Sequence, residues 1–288
     1  MKLVTQTEVT FKRLGYEKGI AAFRDAGFDA LDFSMFDTSD GSMLCAPDYK
    51  EQAKALCELA EANGLSFTQS HTPFPPFRVT DKEYSDRVMP LVERALEISG
   101  ILGVEVSVVH PVACGEGQFD INIDYYNSIA HIAREYGFKI ALENMWGRNS
   151  ETNQIVPNIC SVAEDFNRYV DALDGDCFTA LLDLGHCGLV GSDAATMLRE
   201  MGSRRVTALH IHDNDNLHDS HTLPYLMKMD WDAILKAIAD IGYQGHFTYE
   251  ADNFLKGLPD SLIPAALRFM AEVGRDMMAQ IEKFKAAK

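Results

Sequence analysis

Along this 288-residue chain a helix-forming run, a glycine and a short apolar run recur again and again, and that recurrence constrains the fold more than any single motif. The strands predicted from it start at residues 30, 66, 104, 139, 178, 206 and 246, at intervals of 36, 38, 35, 39, 28 and 40. The joint at 25 to 33, Asp-Ala-Gly-Phe-Asp-Ala-Leu-Asp-Phe, shows the unit in miniature: a helix end, a tight turn at Gly27 and a strand start. Helices are predicted at 16–26, 48–62, 84–102, 124–136, 162–173, 194–201, 231–241 and 261–284. A weak first strand at 3–5 completes eight strand–helix units, which in a chain of this length predicts a (β/α)8 barrel. An open doubly wound sheet would use fewer units and a glycine-rich first turn. Gly185, Gly188 and Gly191 follow Asp183 and His186 and form no phosphate cradle. With no linker or low-complexity tract to cut at, residues 1–288 read as one domain.

Composition narrows the partners. A hydrophobic share of 47% supplies ample core, and a net charge of -17 argues against a nucleic-acid or anionic-membrane partner of the same sign. The N-terminus turns polar at once, and no apolar stretch nears the roughly 18 residues that span a bilayer. The six cysteines show no paired spacing, which predicts a reducing, cytoplasmic home. The last helix, with Leu262, Leu267, Met270, Val273, Met277 and Ile281 on one face, is expected to pack on the barrel, its methionines also offering a homo-oligomer contact.

In a barrel the chemistry sits at the carboxyl ends of the strands. Six consecutive predicted strands end in a potential metal ligand: His71, His110, Glu143, Asp183, His210 and Glu250. Any one alone would read as a helix cap or a solvated loop residue, but six at the same station are hard to explain that way. Two residues before Glu143, His210 and Glu250 stand Ala141, Ala208 and Thr248, small residues on the same strand face, with Leu181 the exception before Asp183. Glu143, Asp183, His210 and Glu250 form a mixed oxygen and nitrogen set that suits Mn²⁺, Zn²⁺, Co²⁺ or Fe²⁺ better than Ca²⁺, with Mg²⁺ less favoured. Phe36, Phe74, Phe77 and Trp146 cluster near the same loops and, with Asn144, would wall a sugar pocket. Cys187 beside His186 reads as a buried thiol rather than a nucleophile.

Ala-Leu-Glu-Asn at 141 to 144, Asp-Leu-Gly-His at 183 to 186, His-Ile-His-Asp at 210 to 213, Asp-Ser-His at 219 to 221 with Met-Asp-Trp at 229 to 231, and Gly-Tyr-Gln-Gly-His at 242 to 246 leading to Glu250 carry a resemblance. They resemble the xylose isomerase-like TIM-barrel superfamily of sugar and sugar-phosphate isomerases and epimerases, which also contains endonuclease IV, over nearly the whole chain. Likeness to the ketose 3-epimerases implies one metal on Glu143, Asp183, His210 and Glu250, acid/base work by Glu143 and Glu250, and a substrate contact from His186. The arginine those epimerases place six residues beyond the metal histidine is replaced here by Asn216. Likeness to endonuclease IV implies up to three zinc ions on His71, His110, Glu143, Asp183, His186, His210, Asp219, His221 and Glu250. Against that reading stand the net charge and loops at 110–124 and 213–225 that hold no lysine or arginine.

The expected reaction is proton abstraction beside a carbonyl and return of the proton to the same or the adjacent carbon, with His71, His110, Asn144, Trp146, His186, Asp219 and His221 as substrate contacts. The expected partner is a small sugar, sugar phosphate or polyol. A dehydratase or lyase starts from the same abstraction, and a barrel that binds a polyol without turning it over is the third alternative.

Overall fold

The computed structural model describes residues 1–287. Eight parallel strands follow one another around a ring: β1 (Leu3–Gln6), β2 (Ala30–Ser34), β3 (Phe67–His71), β4 (Val106–Val108), β5 (Lys139–Glu143), β6 (Phe178–Asp183), β7 (Val206–His210) and β8 (Phe247–Tyr249). Leu3, Val4 and Thr5 of β1 lie in register with Phe247, Thr248 and Tyr249 of β8. Between β7 and β8 the ring closes through Ile211, whose N–H donates to Thr248 O (2.9 Å) and whose carbonyl accepts from Glu250 N (3.2 Å). Sequence order is spatial order, as a (β/α)8 barrel requires.

The punctuation that repeats in the sequence is what turns the chain. Helix α1 (Glu8–Ala26) stops at Gly27, at φ +92°, a left-handed conformation that costs glycine little. Further helices complete the ring: α2 (Tyr49–Ala62), α3 (Lys82–Leu102), α4 (Gln118–Tyr136), α5 (Ala163–Ala172), α6 (Leu184–Leu189), α7 (Ala194–Met201), α8 (Trp231–Asp240), α9 (Asn253–Lys256) and α10 (Ile263–Ala286). Asp81 caps α3 by accepting from Tyr84 N, and the helix turns Val88, Val92, Ala95, Leu96 and Leu102 inward, each large aliphatic side chain contributing about 1.5–3 kcal/mol. Helix α10 packs against α1 and α8 with Leu267, Met270, Met277 and Ile281 fully buried. The two methionines nominated for an oligomer contact therefore face this chain's own core. Among the described residues no helix is long and apolar enough to cross a membrane.

Inside the barrel, Val108, Ala141, Leu181 and Ala208 make a packed layer directly below the rim. Three local features escape the pattern. Helix α1 begins at Glu8, ahead of the expected start, because Gly15 (φ +75°, ψ 173°) interrupts it and hides its first turns from a continuous apolar period. Strand β4 ends at Val108, leaving His110 on the following loop, and β8 ends one residue before Glu250. An antiparallel hairpin, Trp146–Arg148 against Ile155–Pro157, rises after β5; strands this short carry no readable alternation.

Candidate metal centre

Strands β5, β6 and β7 and the residue after β8 bring Glu143, Asp183, His210 and Glu250 together, with one ligand atom from each lying within 4.8 Å of the others. All four are buried. His210 points Nδ1 into the carboxylates, 3.2 Å from Glu143 Oε1, 3.1 Å from Glu250 Oε2 and 3.8 Å from Asp183 Oδ2. On its other side Nε2 lies 3.6 Å from Asp32 Oδ2, which accepts from Gln69 Nε2 at 3.0 Å. A carboxylate behind an imidazole fixes the ring and raises its basicity toward a metal. Gln6 Nε2 donates to Glu250 Oε1 at 3.0 Å.

Two further groups flank this nest. His71 and His110 reach Glu143 Oε2 from one side, Nε2 to oxygen at 3.5 and 2.9 Å. On the other side His186, His212 and His221 gather round Asp219: His221 Nε2 is 3.0 Å and His186 Nε2 3.6 Å from Oδ2, and the His212 and His221 rings stack at 4.1 Å. His212 Nε2 also stands 3.1 Å from Asp183 Oδ1, linking this group to the nest.

Electrostatics follow from that crowding. Burial by itself would raise the Glu143 carboxyl, but the His210 and His110 imidazoles hold it well below the usual carboxylate range. Burial opposes charge on His210, yet Glu250 and Glu143 push it well above the ordinary histidine value. His221, likewise opposed by burial, is raised to about 9 by Glu250 and Asp219. Burial alone dominates at His110 and lowers it.

The donor set fits a divalent cation. Three carboxylates cannot share so small a buried volume without positive charge beyond one imidazole. Glu143 Oε2 and Asp219 Oδ1 are buried without a well-angled hydrogen bond, although His110 lies 2.9 Å from the former. Oxygen and nitrogen donors together are ligand types that a divalent cation takes.

Above the nest opens a cavity of about 480 Å³, lined by His71, His110, Glu143, His186, Asp219, His221, Trp146 and Glu250, with Phe36 and Phe74 on its side. Trp146 Nε1 donates to Asp219 Oδ2 at 3.2 Å. Asp183 and His210 are not on the wall; of the four clustered ligands, only Glu143 and Glu250 face both the nest and the cavity. Two nominated residues lie elsewhere. Asn144 is buried behind Asp183: its Nδ2 donates to Asp183 O (2.9 Å), its Oδ1 accepts from Asp183 N (2.7 Å) and its carbonyl lies 2.8 Å from His186 Nδ1, so it positions two ligands instead of touching the cavity. Phe77 is in the core against Tyr125, ring centroids 4.8 Å apart, and is not on the cavity wall. Cys187 is buried, its Sγ donating to Asp183 O at 3.3 Å and its thiol pushed far up by burial, as expected of an inert thiol. Asp32 and Gln6 are partners that strand-end reading passed over, whereas His212 shares with His210 the strand face that the two-residue spacing marks as functional. A carboxylate within the buried strand Ala30–Ser34 and a glutamine at the end of β1 were the available signals.

A family model described as xylose isomerase-like TIM barrel matches residues 20–273. Among relatives of known sequence, uncharacterized protein y4fM of Sinorhizobium fredii is 34% identical over 116 residues, 40% of this chain and 34% of that protein, so the match spans about a third of its length. Uncharacterized protein MJ1311 of Methanocaldococcus jannaschii is 26% identical over 232 residues, 75% of this chain and 73% of that one. Among solved structures, a D-tagatose 3-epimerase-like protein superposes with a TM-score of 0.69 at 21% identity, covering 94% of this chain and 99% of its own. D-psicose 3-epimerase of Clostridium cellulolyticum H10, solved with D-tagatose, gives 0.73 at 17%, covering 96% and 99%.

Proposed function

The chain belongs to the xylose isomerase-like TIM-barrel family, and from that premise we propose that it is a divalent-metal-dependent isomerase or epimerase of a sugar, sugar phosphate or related polyol. One observation carries the reading: among the four clustered ligands, the two glutamates alone reach the cavity, from β5 and from the end of β8. Glu143, Asp183, His210 and Glu250 would hold a divalent cation, which would supply positive charge where negative charge develops on the substrate's oxygens. Glu143 or Glu250 takes the proton from the carbon between them. One of the two returns it, to the same carbon from the opposite face for epimerisation or to the neighbouring carbon for isomerisation. Glu143 suits the base by position, with one oxygen in the nest and its side chain on the cavity wall. His71, His110, His186, Trp146, Asp219 and His221 line the space where the polyol would lie. Phe36 and Phe74 offer its apolar face a wall. Cysteines that are all free fit a reducing cytoplasm.

The test is deuterium wash-in. The manganese-loaded protein in D₂O, given D-fructose, D-tagatose and their phosphates, is expected to incorporate deuterium at the carbon next to the carbonyl, with an equivalent of metal on the protein. Metal-replete protein that exchanges no deuterium into any ketose would remove the reading. Loss of water from the substrate after exchange would instead mark a dehydratase. A second reading, an endonuclease IV-like phosphodiesterase with three zinc ions, is favoured by the three ligand groups. The charge of -17 and a cavity lined by a single lysine, Lys256, and no arginine oppose it. Cleavage of abasic-site DNA with three metals per chain would select it.

A further inference from the structure

The loop between β7 and α8 delivers Asp219 and His221 to the wall of the metal cavity, and apolar packing is a weak hold on it. Between residues 215 and 230 Leu223 and Pro224 are buried, while Leu217, Tyr225, Leu226 and Met227 stand exposed. Three non-glycine residues there, Asn216, His221 and Tyr225, have φ of +64°, +41° and +72°. That left-handed conformation costs such residues energy and persists only where the surroundings fix it. In this loop the fixing comes from hydrogen bonds gathered at one side chain.

Asp213 is fully buried, and its carboxylate collects four donors. Oδ1 accepts from Asn214 N (2.8 Å) and Met229 N (3.1 Å), and Oδ2 accepts from Met227 N (3.1 Å) and Trp231 Nε1 (3.1 Å), so three of the four arrive from 14 to 18 residues further along the chain. The Asp213 N–H donates to Thr222 O at 2.8 Å. Such bonds offset the cost of burying a carboxylate and are stronger than bonds between neutral groups. At the far end of the loop Trp146 Nε1 donates to Asp219 Oδ2 at 3.2 Å, and His221 Nδ1 lies 2.9 Å from Glu250 O. Both tryptophans of the chain therefore give their indole N–H to carboxylates of this one segment, Trp231 at its base and Trp146 at its tip.

We propose that Asp213 is a positioning residue: its carboxylate folds the loop after β7 so that Asp219 and His221 meet Trp146 and His186 on the wall of the metal cavity. Asp213 is not on that wall and acts on the cavity only through the loop. The inference rests on the sugar reading for the metal cavity and adds a residue that sets how tightly the polyol is held.

The test uses full-length manganese-loaded protein carrying Trp231→Phe, which leaves Asp213 its three backbone donors and makes Trp146 the only tryptophan. In that background Asp213→Ala removes both acceptor oxygens, and Asp213→Asn keeps the shape but turns an amide NH₂ toward one pair of donors. Both are expected to move Trp146 emission to the red and to raise its quenching by acrylamide about twofold or more, as a loosened loop would. Deuterium wash-in is read on the same samples with D-fructose, D-tagatose and their phosphates. For any ketose that exchanges, the half-saturating concentration should rise about tenfold or more while the rate at saturation stays within about threefold, because Glu143 and Glu250 remain in place. Trp146 emission and quenching unmoved in both variants, half-saturation unaltered in both, or loss of the cooperative melt in both would overturn the positioning role. A Trp146 change with no exchange of any ketose in the parent protein removes the sugar reading and leaves Asp213 as the anchor of the loop, whereas exchange in the parent with Trp146 undisturbed in the variants removes the anchor alone.

Discussion

Replacing Glu143 with Gln keeps the shape of the side chain and removes its charge and its basicity. Glu143 belongs to two ligand groups at once, with Asp183, His210 and Glu250 through one oxygen and with His71 and His110 through the other. Manganese held at about 100 times its dissociation constant should stabilise the wild type by about 2.7 kcal/mol. At about 2–4 °C per kcal/mol for a chain of this order of size, melting should rise by about 5–10 °C over the protein in EDTA. Loss of a partner that only orients a ligand costs about 10–100-fold in affinity, so loss of a direct ligand should reach at least the upper end. At the same manganese concentration the variant would be about half-saturated and gain only about 0.4 kcal/mol, a shift of about 1 °C. Deuterium wash-in should fall by about 10²–10⁴-fold, the usual contribution of a positioned proton-transfer group. Differential scanning fluorimetry with and without manganese, alongside exchange measured by NMR, reads both effects. A variant that keeps a manganese shift of several degrees and wild-type exchange refutes the assignment of Glu143 as ligand and base.

Other positions give independent checks. Asp32→Asn leaves Gln69 a partner but removes the charge behind His210, so metal affinity is expected to fall about 10–100-fold with the circular dichroism spectrum unchanged, and an unaltered titration would dismiss the backing role. In Gly185→Ala the new Cβ would stand 2.1 Å from His212 Cε1 and 2.5 Å from its Nε2, an overpacked site that should cost about 1–3 kcal/mol in urea unfolding. Wild-type stability in that variant would show that His212 is free to move. Asp252 is buried, accepts from Val9 N at 2.9 Å, and is raised to about 7 by burial. A carboxyl whose folded value lies above its unfolded one binds its proton more tightly when folded, so its contribution to stability is present below about pH 4 and lost as pH rises through 7. Asp252→Asn should therefore stabilise the protein at pH 8 relative to pH 4 by more than wild type, and equal pH profiles for the two proteins would rule the effect out.

Much of the fold was legible because its signals are local. Lys139–Glu143, Phe178–Asp183 and Ala194–Met201 occupy the spans their apolar runs and flanking glycines predicted. The interrupted α1 and the hairpin at 146–157 were not legible, the first because a left-handed glycine breaks a period, the second because three-residue strands have none. At the candidate site, the residues nominated at strand ends do converge, since parallel strands of one barrel deliver their last residues to one rim. Trp146 reached the cavity wall as expected, while Asn144 and Phe77 did not: adjacency in sequence to a rim residue does not fix which way a side chain turns once the strand has ended.

The sequence by itself determined the repeating unit, the parallel order of the strands and the list of carboxylates and imidazoles at their ends, because periodicity, caps and turn residues act over a few positions of chain. Only the tertiary structure decided that Glu143 is shared between two ligand groups, and that Asp32 stands behind His210 and Gln6 against Glu250. Those relations join residues as far apart as 244 positions, and they exist only once the barrel has closed and taken its buried charges out of water.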